Sequence, residues 1–370
     1  MPLVLGRGRF WRRSSRLVAM ALSLSSSSCR WSSSSSLRLR LRLRLRPHPP
    51  PPACSAGFQL DPTTPTGGFH GIVFKGGGVK GMAYVGALQA LENKGVTAAS
   101  MTYFAGSSAG SIIAAMMAAG VSVKELERKL YGIDWQKVMD GSHFLGFELI
   151  NLVRFYGLYK GQYLEDAVIE TLLHQQTGIA RITFKQLYEQ TGKFLRVTGT
   201  NLTDNELNVF DPHSAPDMPV SKAVHISACV PLFFRSVEYK SKYFVDGGTL
   251  RNLDLTAFEG YIDPPERALA MDLVDTAPPA ASSITGVVQF LLALMQTLAK
   301  YANLYDSKKP DNVDVVPIDT TGINALNFNI SREEQEKLYD MGMKAVEAAF
   351  PEDKQKEEEE EERKLAAPAA

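Results

Sequence analysis

Nothing constrains the fold of this chain more than "VFKGGGVKGMAYVGAL", Val73 to Leu88. "GIVF" at 71–74 is the kind of short apolar run that forms a buried strand, and the pattern over 80–94 is helical. Between them stand Gly76, Gly77 and Gly78, with Gly81 close behind, so strand passes to helix through a loop almost bare of side chains. The same order follows at once in "TYFAG" (102–106), a glycine–serine turn and a helical pattern over 108–119. Apolar runs at 194–202, 243–248, 268–274 and 313–318 also read as strands, and helical patterns occupy 161–174, 219–228 and 332–349. This alternation predicts an α/β fold in three layers, α/β/α, around a central, mostly parallel sheet with helices on both faces.

The 370 residues are 45% hydrophobic, enough for a large core, and no Pro/Gly-rich linker interrupts the middle of the chain. One domain is therefore expected over 69–351. Before it, residues 1–68 form a leader in which Met1 to Leu60 holds eleven arginines and no Asp, Glu or Lys. Arg and Ser without acids is the composition of an organellar transit peptide, for mitochondrion or plastid. A secretory signal around "RLVAMALSL" and an uncleaved disordered extension are the alternatives, the latter leaving the protein cytoplasmic or at a membrane surface. After the domain, residues 352–370 carry "EDKQKEEEEEER", a like-charge run expected to stay solvated as a tail.

The balanced total of 40 basic and 40 acidic residues conceals this segregation, since over residues 61–370 only 29 basic residues face 40 acidic ones. Such a balance is a poor profile for a nucleic-acid binder, which would want a basic groove. Cys229 is the only cysteine of this body, so it contains no internal disulfide. Ile284–Ala299, broken by Thr285, Gln289, Gln296 and Thr297, falls short of the roughly 18 apolar residues of a membrane span. It fits a helix packed against the core or lying on a surface.

Gly76, Gly78 and Gly81 satisfy the G-x-G-x-x-G spacing of a dinucleotide turn, but that site also needs an acid roughly 20 residues on, at the end of the second strand. "MTYFAGSSAGS" supplies none there. A P-loop fails as well, because Met82 follows Gly81 where Lys and then Ser or Thr are required. What stands there is Gly106-Ser107-Ser108-Ala109-Gly110, a G-x-S-x-G between a strand and a small-residue helix. This is the setting of a serine nucleophile held on a tight strand-to-helix turn. Acyl transfer also needs donors for the developing oxyanion. Side-chain-free amides at Gly76, Gly77 and Gly78 suit that task, although a plain βα turn explains the glycines equally well. Lys80 reads as a solvated cation or a support for the loop.

A nucleophilic serine needs a base. No histidine follows "YFVDGG", which rules out the usual Ser, acid, His order beyond His225. Asp246 ends an apolar run directly before Gly247 and Gly248, where a side chain reaches the sheet's carboxyl edge; burial would raise its pKa into a useful range. An Asp-Gly turn cap is the competing explanation. His225 sits in a helical pattern, "SKAVHISACVP", that points to a packed or surface histidine.

With these three motifs in this order, the chain resembles the patatin-like phospholipase family. The resemblance rests on "GGGVKG" (76–81), "GSSAG" (106–110) and "DGG" (246–248), and extends through "GLYKGQYLEDAV" (157–168), "AVHISACVPLFF" (223–234) and "IDTTGINALNFNIS" (318–331). It implies a patatin-like fold and a lipid acyl hydrolase with a Ser-Asp dyad: Ser108 as nucleophile, Asp246 as base, and Gly76, Gly77 and Gly78 as oxyanion hole. Lys80, Gly81, Gly106, Gly110, Gly247 and Gly248 complete the motifs. No metal or cofactor is implied. The partner is membrane phospholipid or another acyl lipid, with peripheral membrane contact; a neutral-lipid lipase, an acyltransferase and a non-catalytic lipid binder are the alternatives. Family members often carry Arg at Lys80 and Pro at Asp254, and the second departure puts the local turn in question. The apolar "FLGFELINLVRFYGLY" (144–159) would line an acyl pocket, touch a bilayer or pack in the core.

Overall fold

A computed structural model describes residues 68–140, 151–152, 154–262, 266–276, 290–291, 293–294, 297–298 and 309–351. The arginine-rich leader, the acidic tail and residues 144–150 and 153 of the apolar stretch lie outside them.

Every run read as a strand is one. β1 (Phe69–Phe74), β2 (Tyr103–Gly106), β4 (Phe194–Asn201), β9 (Arg267–Val274) and β10 (Val313–Asp319) pair in the order β10-β9-β1-β2-β4, all parallel. Beyond β4 the sheet turns antiparallel through β8 (Lys242–Asp246) and β7 (Val237–Tyr239), while β5 (Glu206–Phe210) adds antiparallel to β4. β3 (Gly157–Tyr159) and β6 (Leu232–Phe234) form a separate parallel pair.

Alternation along the strands supplies two cores, because successive side chains point to opposite faces. Ile72 and Phe74 of β1, Phe104 of β2 and Leu269 and Met271 of β9 join the larger core. It also takes in α1 (Ala83–Asn93), α2 (Ala109–Ala118), α3 (Val123–Tyr131), α4 (Thr171–Thr177), α5 (Phe184–Thr191), α6 (Val220–Ala228) and α7 (Arg332–Ala349). On the opposite face Val73, Ala105, Ala268 and Ala270 pack with Ala257, Phe258 and Ile262. Small side chains there leave room for the segment above: a Cβ on Gly71 would meet Ile262 Cδ1 at 2.7 Å. The result is a central, mostly parallel sheet flanked by helices, as the alternation predicts.

α7 closes the fold against α1 through two glycines, since a Cβ on Gly342 would sit 1.9 Å from the Ala83 carbonyl, and one on Gly86 1.9 Å from that of Tyr339. Its start is set by a reciprocal cap in which Ser331 and Glu334 each satisfy the other's backbone amide. Among the described residues, no helix is long and apolar enough to cross a membrane. Within Ile284–Ala299, Phe290, Leu294 and Leu298 are all exposed, which decides for the surface over core packing at these positions. Asp254 keeps the turn that proline's absence put in question. It is buried, accepts hydrogen bonds from the Thr256 amide and, at 2.9 Å, the Thr256 hydroxyl, and pairs with Arg251.

Candidate active site

Ser108 is the N-cap of α2 and has φ 51° and ψ −129°, a conformation rare for a residue with a side chain. Such strain costs on the order of 1–3 kcal/mol and persists only where the surroundings over-determine it. Here they do. The Ser108 amide donates to Ser227 Oγ at 2.9 Å, and the Ser111 hydroxyl donates to the Ser108 carbonyl at 2.6 Å. The flanking glycines are required by contact: a Cβ on Gly110 would lie 2.3 Å from the Phe74 carbonyl oxygen, and one on Gly106 2.3 Å from that of Gly110. The sharp elbow therefore packs directly on the end of β1.

The glycine loop lies over this elbow. A Cβ on Gly76 would come within 2.7 Å of Ser108 Cβ and 2.3 Å of Asn252 Oδ1. Gly76 is clamped from both sides by Asn252, donating its amide to the Asn252 carbonyl at 3.1 Å and accepting from Asn252 Nδ2 at 3.1 Å. Its amide is thus already committed, which removes it from the set of free oxyanion donors. Among the described residues no acceptor takes the amides of Gly77 or Gly78. Gly78 adopts φ +56°, and a Cβ there would meet the Ala325 carbonyl oxygen at 2.0 Å. Lys80 is a support rather than a solvated cation: it is buried, and its Nζ reaches both Asp275 oxygens, at 2.7 and 2.8 Å. Gly81 packs against Ala109 at the start of α2.

Asp246 arrives from the antiparallel side of the sheet, paired in register with Gly199 of β4. Its amide donates to the Cys229 carbonyl at 2.8 Å, and its carbonyl accepts the Thr200 hydroxyl at 2.9 Å. Oδ1 accepts the Gly248 amide at 2.6 Å, while Oδ2 is buried without a hydrogen bond of normal geometry. Burial pushes the carboxyl up from 3.8 to about 7, against the opposing pull of the nearby Ser108 hydroxyl and the Gly248 amide. Gly247 is pressed against Thr198, where a Cβ would meet Oγ1 at 2.3 Å. A carboxyl that titrates near neutrality beside a strained serine is the pairing general-base chemistry uses.

Residues 72–258 match the model of the family described as patatin-like phospholipase. YqhO of Bacillus subtilis is 31% identical over 291 residues, spanning 74% of this chain and 96% of its own length. The chain belongs to the patatin-like phospholipase family. With membership goes lipid acyl hydrolysis as the broad class of activity. The probable lipid hydrolase 463L of Invertebrate iridescent virus 6 is 28% identical over 192 residues, covering 50% of this chain and 61% of that protein. The crystal structure of VipD from Legionella pneumophila shares the fold, with a TM-score of 0.51 at 19% identity over 76% of this chain and 67% of VipD.

In this patatin-like site a cavity opens beside the elbow. Ser108 is on its wall together with Gly78, Ile112, Trp135, Leu164 and Phe328, so its lining is almost wholly apolar. His225 is buried and directed to Glu165, with Nδ1 at 2.5 Å from Oε2. His213 contacts Tyr261 instead, at 3.2 Å. The structure thus brings Ser108, Asp246 and the glycine loop together and leaves both histidines aimed elsewhere. Sequence reasoning missed the double clamp of Asn252 on Gly76, the Ser227 bond to Ser108, and Asp275 as the partner of Lys80. Of these, Ser227 and Asn252 stood among the residues the family resemblance had singled out, whereas Asp275 did not.

Proposed function

We propose that this protein is a serine esterase that releases fatty acids from membrane phospholipids through an acyl-enzyme, with Ser108 as nucleophile and Asp246 as its base. The observation that carries the reading is the buried Asp246 carboxyl, poised near pH 7 beside Ser108. Ionised Asp246 takes the Ser108 hydroxyl proton as the oxygen attacks the ester carbonyl. The amides of Gly77 and Gly78, with that of Ala109 at the start of α2, meet the developing oxyanion. As the tetrahedral intermediate collapses, Asp246 returns the proton to the leaving alcohol, and a water activated by the same carboxylate releases the acid. The acyl chain occupies the apolar cavity next to Ser108.

A lipid surface fits the rim of the site. β2 ends at Gly106, in register with Val197, whereas β4 runs on to Asn201, opposite Phe244. Leu202 and Tyr243 therefore project past the edge that carries Ser108, and both are exposed. Tyr156, 60% exposed, meets Tyr243 edge-on at 6.1 Å, and Arg235 lies 4.0 Å over exposed Phe155. Aromatic rings with adjacent cations are the side chains that settle at a membrane interface.

Transfer of the acyl group to a lipid alcohol is the second reading, favoured by similarity to the mouse omega-hydroxyceramide transacylase, 27% identical over 52% of this chain and 28% of that protein. The test is fluorophosphonate labelling of wild type, Ser108→Ala and Asp246→Asn, with a lipid panel assayed with and without an alcohol acceptor. Label and fatty-acid release lost in both variants support the dyad. Full release by folded Ser108→Ala refutes it, and ester product in place of free acid selects transfer.

A further inference from the structure

We propose that the last turn of α6, Ser227-Ala228-Cys229, is a clamp that sets the distance between nucleophile and base, and that the buried Glu165–His225 pair holds this turn in place. The proposal rests on the Ser108–Asp246 reading above. Ser108 and Asp246 come from different strands with no direct backbone link, yet one turn bonds to both. Ser227 Oγ accepts the Ser108 amide at 2.9 Å, and two residues on, the Cys229 carbonyl accepts the Asp246 amide at 2.8 Å. Between them Ala228 forms part of the cavity wall. Because Ser108 is held at φ 51°, its amide must have a fixed acceptor; without one the elbow relaxes and the hydroxyl leaves the base.

What fixes the turn is charge. Glu165, wholly buried, accepts from two side chains of α6, His225 and Lys222, each at 2.5 Å, and pairs with Arg181 at 3.4 Å. Burial would raise the Glu165 pKa, but the His225 and Lys222 contacts outweigh it and hold the carboxyl at about 2. Burial would lower His225, and Cys229 and Glu165 reverse this, raising it to about 10. An ionised pair out of water tolerates little displacement, since separation leaves a buried charge uncompensated. His225 precedes Ser227 by two residues on the same helix, so its anchoring passes directly to the clamp. These are positioning residues, which touch no substrate.

Two variants test the clamp in the full-length protein, read by kcat and KM on a micellar ester and by the rate of fluorophosphonate labelling. Ser227→Ala removes only the acceptor; kcat and labelling rate are expected to fall about tenfold or more, with KM within about twofold. His225→Gln leaves Glu165 paired with Lys222 and Arg181, so it folds, and its kcat is expected to fall by a similar factor. If both act through one turn, the double variant falls little further than the worse single variant. Wild-type kcat in folded Ser227→Ala overturns the clamp, and multiplicative losses in the double variant overturn the link to Glu165–His225. Ser108→Ala run alongside reports separately on the nucleophile.

Discussion

Replacing Asp246 by Asn should destroy activity and at the same time stabilise the fold. In the native protein the carboxyl titrates at about 7 instead of 3.8, chiefly because it is buried. Its pKa is raised on folding, so between these values the folded chain keeps a proton that the unfolded chain has lost. Asp246 therefore weakens the fold progressively as pH rises from about 4 to about 7, and the penalty is flat above that. A shift of about 3 units at 1.36 kcal/mol each sets its ceiling near 4 kcal/mol. Asn carries no charge, accepts the Gly248 amide in the same way, and escapes the penalty. Any pH-independent offset of the substitution cancels when two pH values are compared. By about pH 5.5 roughly 2 kcal/mol of the penalty has developed, so Asp246→Asn should gain a further ~2 kcal/mol over wild type between pH 5.5 and pH 8. Urea denaturation of both proteins at the two pH values measures this, and lipid hydrolysis measured alongside should drop at least ~10³-fold. A stability difference that does not change with pH would show that Asp246 is not held near neutrality, and the argument for it as base would lose its physical ground.

Ser108→Ala should abolish fluorophosphonate labelling and hydrolysis while its melting temperature stays close to wild type, because the backbone bonds to Ser227 and Ser111 do not involve the hydroxyl. For the wild type, kcat/KM should rise with pH through about 7 as Asp246 ionises, and a profile already flat from about pH 5 contradicts the assignment. Gly77→Val should lower kcat about 10²-fold with the fold retained, its new side chain pressing on the flexible Leu273 tip and tilting an oxyanion donor; unchanged kcat would make the loop a plain turn.

The sequence by itself determined whatever depends on neighbours along the chain. Strand periodicity, the glycine loop, the elbow at 106–110 and the Asp-Gly at 246–247 are local patterns, and each forms where its residues predict. A strained serine needs flanking glycines wherever the elbow is placed, so the motif carries its own explanation. Tertiary structure alone decided the rest. That Asp246 stands beside Ser108 follows from β8 joining β4 antiparallel, a pairing that apolar alternation does not encode. Its pKa is a property of the enclosure around it. Gly76 looks like its neighbours in sequence, yet Asn252, 176 residues on, occupies its amide. Phe290, Leu294 and Leu298 have a composition that suits core and surface alike, and only the packing of the other elements leaves them exposed. Hydrogen-bond partners, burial and electrostatic environment are sums over residues distant in the chain, and a chemically apt side chain becomes a working group only where the fold delivers those neighbours.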